Sequence, residues 1–111
     1  MELTINGKQV SFKFGVKFVR ELGQNFVIET KGVSFGMALA VKIIPELEMA
    51  NIATLSNVLF LGNRTEKTKL SQGDIDDFID ECEDIEKLFD DVLKEITESN
   101  TGKLIKRKMT K

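Results

Sequence analysis

The sequence predicts an α+β fold that is predominantly α-helical: an N-terminal β-hairpin packed on a bundle of four to five helices, then a disordered basic C-terminal tail. Three observations carry this reading. Apolar residues alternate with polar ones on either side of an Asn-Gly pair at the start of the chain. From residue 15 onward the apolar residues recur at three- and four-residue steps, the spacing of an amphipathic helix. Residues 99–111 hold few apolar side chains and many Lys and Arg. With only two strands, helix packing must supply most of the core.

The hairpin comes first. Leu3, Ile5, Val10, Phe12 and Phe14 alternate with polar residues across positions 2–14. Asn6-Gly7 separates the two runs, and both residues tolerate the positive φ that a tight hairpin turn demands. An isolated hairpin is marginal in water, so its apolar face must pack on the helices of the remaining chain.

Residues 15–23 switch to helical spacing, with Val16, Phe18, Val19 and Leu22 on the apolar side and Gly23 as the C-cap. Residues 25–32 read as a connection with an extended piece at Phe26–Ile28. Ser34 is placed to cap a second helix through Met37, Leu39, Ala40, Val41, Ile43 and Ile44. Pro45 lacks a backbone N–H and should end or kink it, opening a new turn at Pro45-Glu46-Leu47-Glu48.

Asn51 is the expected N-cap of a third helix, Ile52 to Leu61, closed by Gly62-Asn63. Ile52, Leu55, Val58, Leu59, Phe60 and Leu61 make it apolar on most sides, which places it centrally in the core. A polar, basic loop covers 63–70. Ser71-Gln72-Gly73-Asp74 is an S-x-x-D form of the capping box. Beyond it Ile75, Phe78, Ile79, Cys82, Ile85, Leu88, Phe89, Val92, Leu93 and Ile96 form a long amphipathic pattern with a break near Glu83-Asp84. Residues 1–98 are therefore one domain, and 99–111 a flexible basic tail.

Charge is unevenly laid out. The net charge of -2 divides into +3 over residues 1–73, -10 over 74–98 and +5 over 99–111. Such a layout suggests binding surfaces rather than a catalytic cleft. The single cysteine, Cys82, cannot form an internal disulfide and is expected to pack in the core. The chain shows no N-terminal signal pattern and no apolar run near the ~18 residues of a membrane span. A cytoplasmic protein is expected, without a membrane partner.

The chemistry is mostly an absence. The chain contains no His, which removes the commonest general base and the usual zinc ligand. No P-loop motif is present. The acids Asp74, Asp76, Asp77, Asp80, Glu81, Glu83 and Asp84 are interrupted by apolar residues at helical spacing, unlike a calcium loop. They form either a solvated helix face or an acidic docking face for a basic partner, in which Asp77, Asp80, Glu81 and Asp84 are the candidate contacts. Lys103, Lys106, Arg107, Lys108 and Lys111 are without an interleaved aromatic residue, so no nucleic-acid partner is expected. Phe35, Met37, Met49 and Phe60 are the candidate apolar contacts, because flexible Met side chains adapt to varied partners. No catalytic set, cofactor site or metal site emerges, and the chain reads as a non-enzyme.

The order of segments resembles one family, the tail assembly chaperones of long-tailed phages and prophages of low-GC Gram-positive bacteria. The resemblance runs from Met1-Glu2-Leu3-Thr4-Ile5-Asn6-Gly7-Lys8 through Phe14-Gly15-Val16-Lys17-Phe18-Val19-Arg20-Glu21-Leu22 and Gly32-Val33-Ser34-Phe35-Gly36-Met37. It continues in Asp74-Ile75-Asp76-Asp77-Phe78-Ile79-Asp80-Glu81 and Asp84-Ile85-Glu86-Lys87-Leu88-Phe89-Asp90-Asp91-Val92, and ends at Glu98-Ser99-Asn100 and the basic tail.

What the resemblance implies is a role. Such proteins are thought to bind the tape measure protein, keep it soluble until tail tube subunits polymerise around it, and be absent from the mature virion. The host cytoplasm would be their site of action. Many are also made in a frameshifted longer form, which would reach the tail tube protein. Thr101-Gly102-Lys103 can be encoded as ACG-GGA-AAA, containing the slippery heptamer G-GGA-AAA, at the place where such a junction belongs. Self-association is expected, since a client with many apolar stripes rewards several weak contacts. The rival readings are a minor structural tail protein and an acidic, DNA-mimicking regulator.

Overall fold

The computed structural model describes the backbone of residues 1–25 and 39–109. Strands β1 (Glu2–Ile5) and β2 (Lys8–Ser11) pair antiparallel, with Leu3 opposite Val10 and Ile5 opposite Lys8. The register leaves Asn6 and Gly7 as a two-residue turn at φ 54° and 75°, the left-handed geometry that an Asn-Gly pair accommodates. One face of the hairpin is inward, through Ile5 and Val10. The other is wet, and there Gln9 Nε2 donates to Glu2 while Thr4 Oγ1 donates to Gln9.

Six α-helices come after the hairpin among the described residues. Helix α1 (Val16–Asn25) buries Phe18, Val19 and Leu22. It runs past Gly23, the expected cap, and Val16 at its first position is 69 % exposed rather than packed. A first-turn residue lies at the rim of a packed face, so helical spacing alone does not decide its burial. The expected second helix lies partly outside the described residues. Its described end, Leu39–Ile43, is a turn of π-helix, and α2 (Ile44–Glu48) begins beside Pro45. Proline thus opens a new helix, as its preset φ favours.

Helix α3 (Ile52–Asn63) is the central element. Leu55, Val58, Leu59 and Leu61 are all buried on it, and Asn51 caps it by accepting the Thr54 N–H at 3.1 Å. It does not stop at Leu61. Gly62 and Asn63 belong to the helix and are buried. The Phe14 ring lies so close to Gly62 that an added Cβ would come within 2.5 Å of its Cε1. Lys13 N–H donates to the Gly62 carbonyl at 2.8 Å. Asn63 donates to the carbonyls of Ser11 (3.1 Å) and Thr68 (2.8 Å) and accepts from Leu70 N–H (2.8 Å). A polar side chain at the end of the core helix therefore joins the hairpin, α3 and the loop after it. Phe14 also meets Phe18 edge-on, with ring centroids 5.0 Å apart. Arg64 bridges to Glu21 on α1 at 3.2 Å.

Helix α4 (Gln72–Asp80) starts with the capping box expected from the sequence: Asp74 N–H donates to Ser71 Oγ and Ser71 N–H to Asp74 Oδ2. The long amphipathic pattern breaks at 81–84, and Asp84 caps α5 (Ile85–Glu98) by accepting Lys87 N–H. Leu88, Phe89, Val92 and Ile96 close the core from this side, and half-buried Cys82 packs against it.

The C-terminal region corrects the sequence reading. Residues Asn100–Met109, expected to be disordered, form helix α6. Ser99 ends α5 and starts α6, since its hydroxyl donates to the Ile96 carbonyl at 2.6 Å and accepts Gly102 N–H at 3.1 Å. Gly102 is buried where α6 crosses the end of α5, and a Cβ there would sit 2.1 Å from the Ile96 carbonyl oxygen. Ile105 packs against the core. The basic composition is real, but three local features outweigh it: a dual cap, a side-chain-free crossing point and one apolar anchor.

Two substitutions test the junction of hairpin and α3. Asn63→Ala removes three hydrogen bonds and leaves their partly buried backbone partners unmet, each at a cost of up to about 1–3 kcal/mol. Gly62→Ala forces the packed Phe14 ring aside, an overpacking change of about 1–3 kcal/mol. Urea unfolding should place both midpoints well below that of the native chain. An unchanged midpoint for Asn63→Ala would show that the hub contributes nothing.

Candidate functional site

The turn between α2 and α3 is fixed from below. Glu46 accepts from Lys42 Nζ at 2.9 Å and from the Thr54 hydroxyl, which ties α2 to the first turn of α3. These bonds, Thr54 first and then Lys42, hold the Glu46 carboxyl below its usual 4.5. Above the turn, Ala50 N–H donates to Leu47 O and Asn51 N–H to Glu46 O, the paired bonds of a Schellman ending. That ending requires a left-handed residue, and Ala50 takes it at φ 59°. Ala carries a Cβ penalty there that Gly would not. The result is that Met49 and Ile52 project outward, 82 % and 55 % exposed.

Beside this turn lies a groove of about 420 Å³, lined by Leu47, Glu48, Ala50, Glu86, Phe89, Asp90 and Leu93. Helical spacing explains its two-toned lining. On α5, Phe89 and Leu93 are four residues apart and face the core side, while Glu86 and Asp90 are four apart along the rim. Leu47 and Phe89 are buried, whereas Glu48, Glu86 and Asp90 are exposed. Among the described residues none of these three carboxylates is in an ion pair. The arrangement suits an apolar side chain with a cation next to it. Among the described residues no group of His, Cys, Asp or Glu is arranged to hold a metal ion.

The sequence-derived candidates do not form one surface. Met49 is prominent and borders the groove, standing between Glu48 and Ala50 in the chain. Phe60 is near the far end of α3, so the ~1.5 Å rise per residue separates it from Met49 by most of the helix length. It is half-buried under Arg64, whose guanidinium carbon is 5.7 Å from the ring centroid, beside a smaller cleft with Asn63, Lys69 and Leu70. Phe35 and Met37 lie outside the described residues. Asp77 and Asp80 are exposed on α4, and Glu81 is its C-cap. Asp84 is occupied in capping α5. Periodicity alone assigns Phe89 and Leu93, the apolar groove residues on α5, to the core. It finds a face but does not show where that face extends past its partner, and Leu93 is only half-buried. Ile52, read as core, is exposed because it starts its helix.

A family model described as phage tail assembly chaperone protein, TAC, matches residues 2–111. The chain belongs to that phage tail assembly chaperone family. The matched range takes in the residues of the hairpin, the helices and α6 alike. Among curated proteins and among solved structures, nothing matches the chain significantly. Membership in a tail assembly chaperone family implies a role in assembly rather than in catalysis. Among the described residues no helix is long and apolar enough to cross a membrane.

Two measurements probe the turn. Ala50→Gly relieves the left-handed backbone and should stabilise the fold by about 1 kcal/mol; a lower urea midpoint would contradict the strain. Glu46 has a depressed carboxyl in the folded state. Its contribution is therefore fully present above 4.5, the unfolded value, and is lost as pH falls through the lower folded value. Glu46→Gln should lower stability at pH 7 and flatten the acid-induced loss below 4.5. An acid profile parallel to that of the native chain would refute this role.

Proposed function

We propose that this tail assembly chaperone binds the tape measure protein and holds it soluble in the host cytoplasm until tail tube subunits polymerise around it. The observation that carries the reading is the apolar surface at the α2–α3 turn: exposed Met49 and Ile52 beside a groove with Leu47, Phe89 and Leu93 on its floor. A long helical client presents apolar stripes, and a Met side chain fits varied shapes along them. Apolar burial yields about 25 cal/mol per Å², but the costs of association offset much of it for so small a contact. Each contact is then weak and exchangeable, as a chaperone displaced during assembly requires. Several copies along one client supply the retention that one contact does not. The chain is absent from the finished particle in this reading, and a frameshifted longer form would connect the client to the tail tube protein.

Co-expression with the tape measure protein tests the proposal. The native chain should bring it into the soluble fraction and copurify with it, and Met49→Asp with Ile52→Asp should abolish both effects while leaving the circular dichroism spectrum unchanged. A tape measure protein equally soluble with the double variant would move the client surface elsewhere. Presence of the chain in purified virions at stoichiometric levels would favour a minor structural tail protein instead.

A further inference from the structure

The groove beside α5 has a chemical complement on the same chain. Helix α6 turns Gly102 and Ile105 inward, and helical geometry puts Lys103, Leu104 and Arg107 together on its outward face. All three are exposed, Leu104 to 53 %. Neither Lys103 nor Arg107 makes an ion pair among the described residues. The groove offers the opposite pattern: an apolar floor of Leu47, Ala50, Phe89 and Leu93, rimmed by the carboxylates of Glu48, Glu86 and Asp90, which have no ion pair among the described residues. We propose that the groove of one copy receives the outward face of helix α6 from a second copy, with Leu104 in the groove and Lys103 and Arg107 against its acidic rim.

Its own α6 does not serve this groove. That helix is seated across the far end of α5, held by the Ser99 caps and by the close approach of Gly102 to Ile96. Donor and acceptor surfaces both lie along α5, at different ends of one helix. The proposed dimer is two-fold, so that the contact is made twice and no unmatched end is left to propagate. Exposed ion pairs contribute little alone, so Leu104 in the apolar floor supplies the attraction and the charges fix the register. The proposal rests on the groove and α6, and stands independently of the identity of the client.

Sedimentation of the full-length chain over a concentration series tests it, with no client present. The native chain should form a dimer that weakens as salt is raised. Leu104→Asp should weaken association by at least roughly tenfold. So should the pair Glu86→Lys and Asp90→Lys, and so should the pair Lys103→Glu and Arg107→Glu. Mixing the two charge-reversed proteins is the decisive step. In the mixed dimer one of the two contacts pairs a reversed groove with a reversed α6, so opposite charges meet again and association should recover well above that of either variant alone. All substituted positions are exposed, and circular dichroism checks that each variant is folded. A chain that stays monomeric at every concentration overturns the proposal, as it would if the groove serves only a different protein. A dimer indifferent to the charge reversals, or not restored by mixing, overturns it too.

Discussion

Asn63 stands where three stretches of chain would otherwise come apart. A two-stranded hairpin does not hold itself together in water, and a helix with apolar residues on most sides needs neighbours on all of them. The two needs meet at the end of α3. There Asn63 takes the carbonyls of Ser11 and Thr68 and the N–H of Leu70, while Gly62 gives its carbonyl to Lys13 and its surface to the Phe14 ring. The neighbouring Arg64 reaches back to Glu21 on α1. Once this corner is fixed, the hairpin covers one side of α3, and the chain re-enters at Ser71 to lay α4 against α3 and α5 against α2.

Most of this architecture is legible because it depends on local chemistry. Asn6-Gly7, Asn51, Ser71 with Asp74 and the break before Asp84 are signals in which a side chain satisfies a nearby backbone group or a residue accepts a turn geometry, and the structure places all of them as read. Two of the failures have a common cause. Gly62-Asn63 looks like a helix terminator in sequence, yet both residues are inside the helix because of partners some fifty positions away. Gly102 looks like a flexible residue in a charged tail, yet it marks a crossing point too tight for any Cβ. Glycine and asparagine mean one thing where the backbone must turn and another where a distant element must approach, and spacing does not separate the two cases.

Gly102 bears on the coding argument as well. The Gly102-Lys103 pair fits a slippery heptamer, but its glycine is already required by the approach of Ile96. The amino acid therefore carries no independent argument for recoding. What the structure adds is positional: the pair falls inside an ordered helix, so any extension beginning there would replace the outward face of α6 from Leu104 onward. A longer form of that kind would keep the cap at Ser99 and the crossing at Gly102, yet lose Leu104 and Arg107.

The candidate surface is only partly legible for a related reason. Met49 stands out in the sequence because a flexible Met side chain adapts to varied partners, but the groove beside it needs α2 and α5 side by side, which no local signal announces. Its chemistry depends on how α5 is built. A helix with apolar residues on one face and acids on the other meets α2 over only part of its length, so the boundary between the faces is left open as an apolar floor with an acidic rim. The same composition that concentrates charge of -10 in residues 74–98 keeps this boundary hydrated and discourages like surfaces from collapsing together. An apolar contact in such a setting selects partners carrying cations beside their apolar residue. Under the proposed roles that selection matters more than strength: the surface would accept a client, tolerate a second copy, and release either when a growing tube competes for the same stripes.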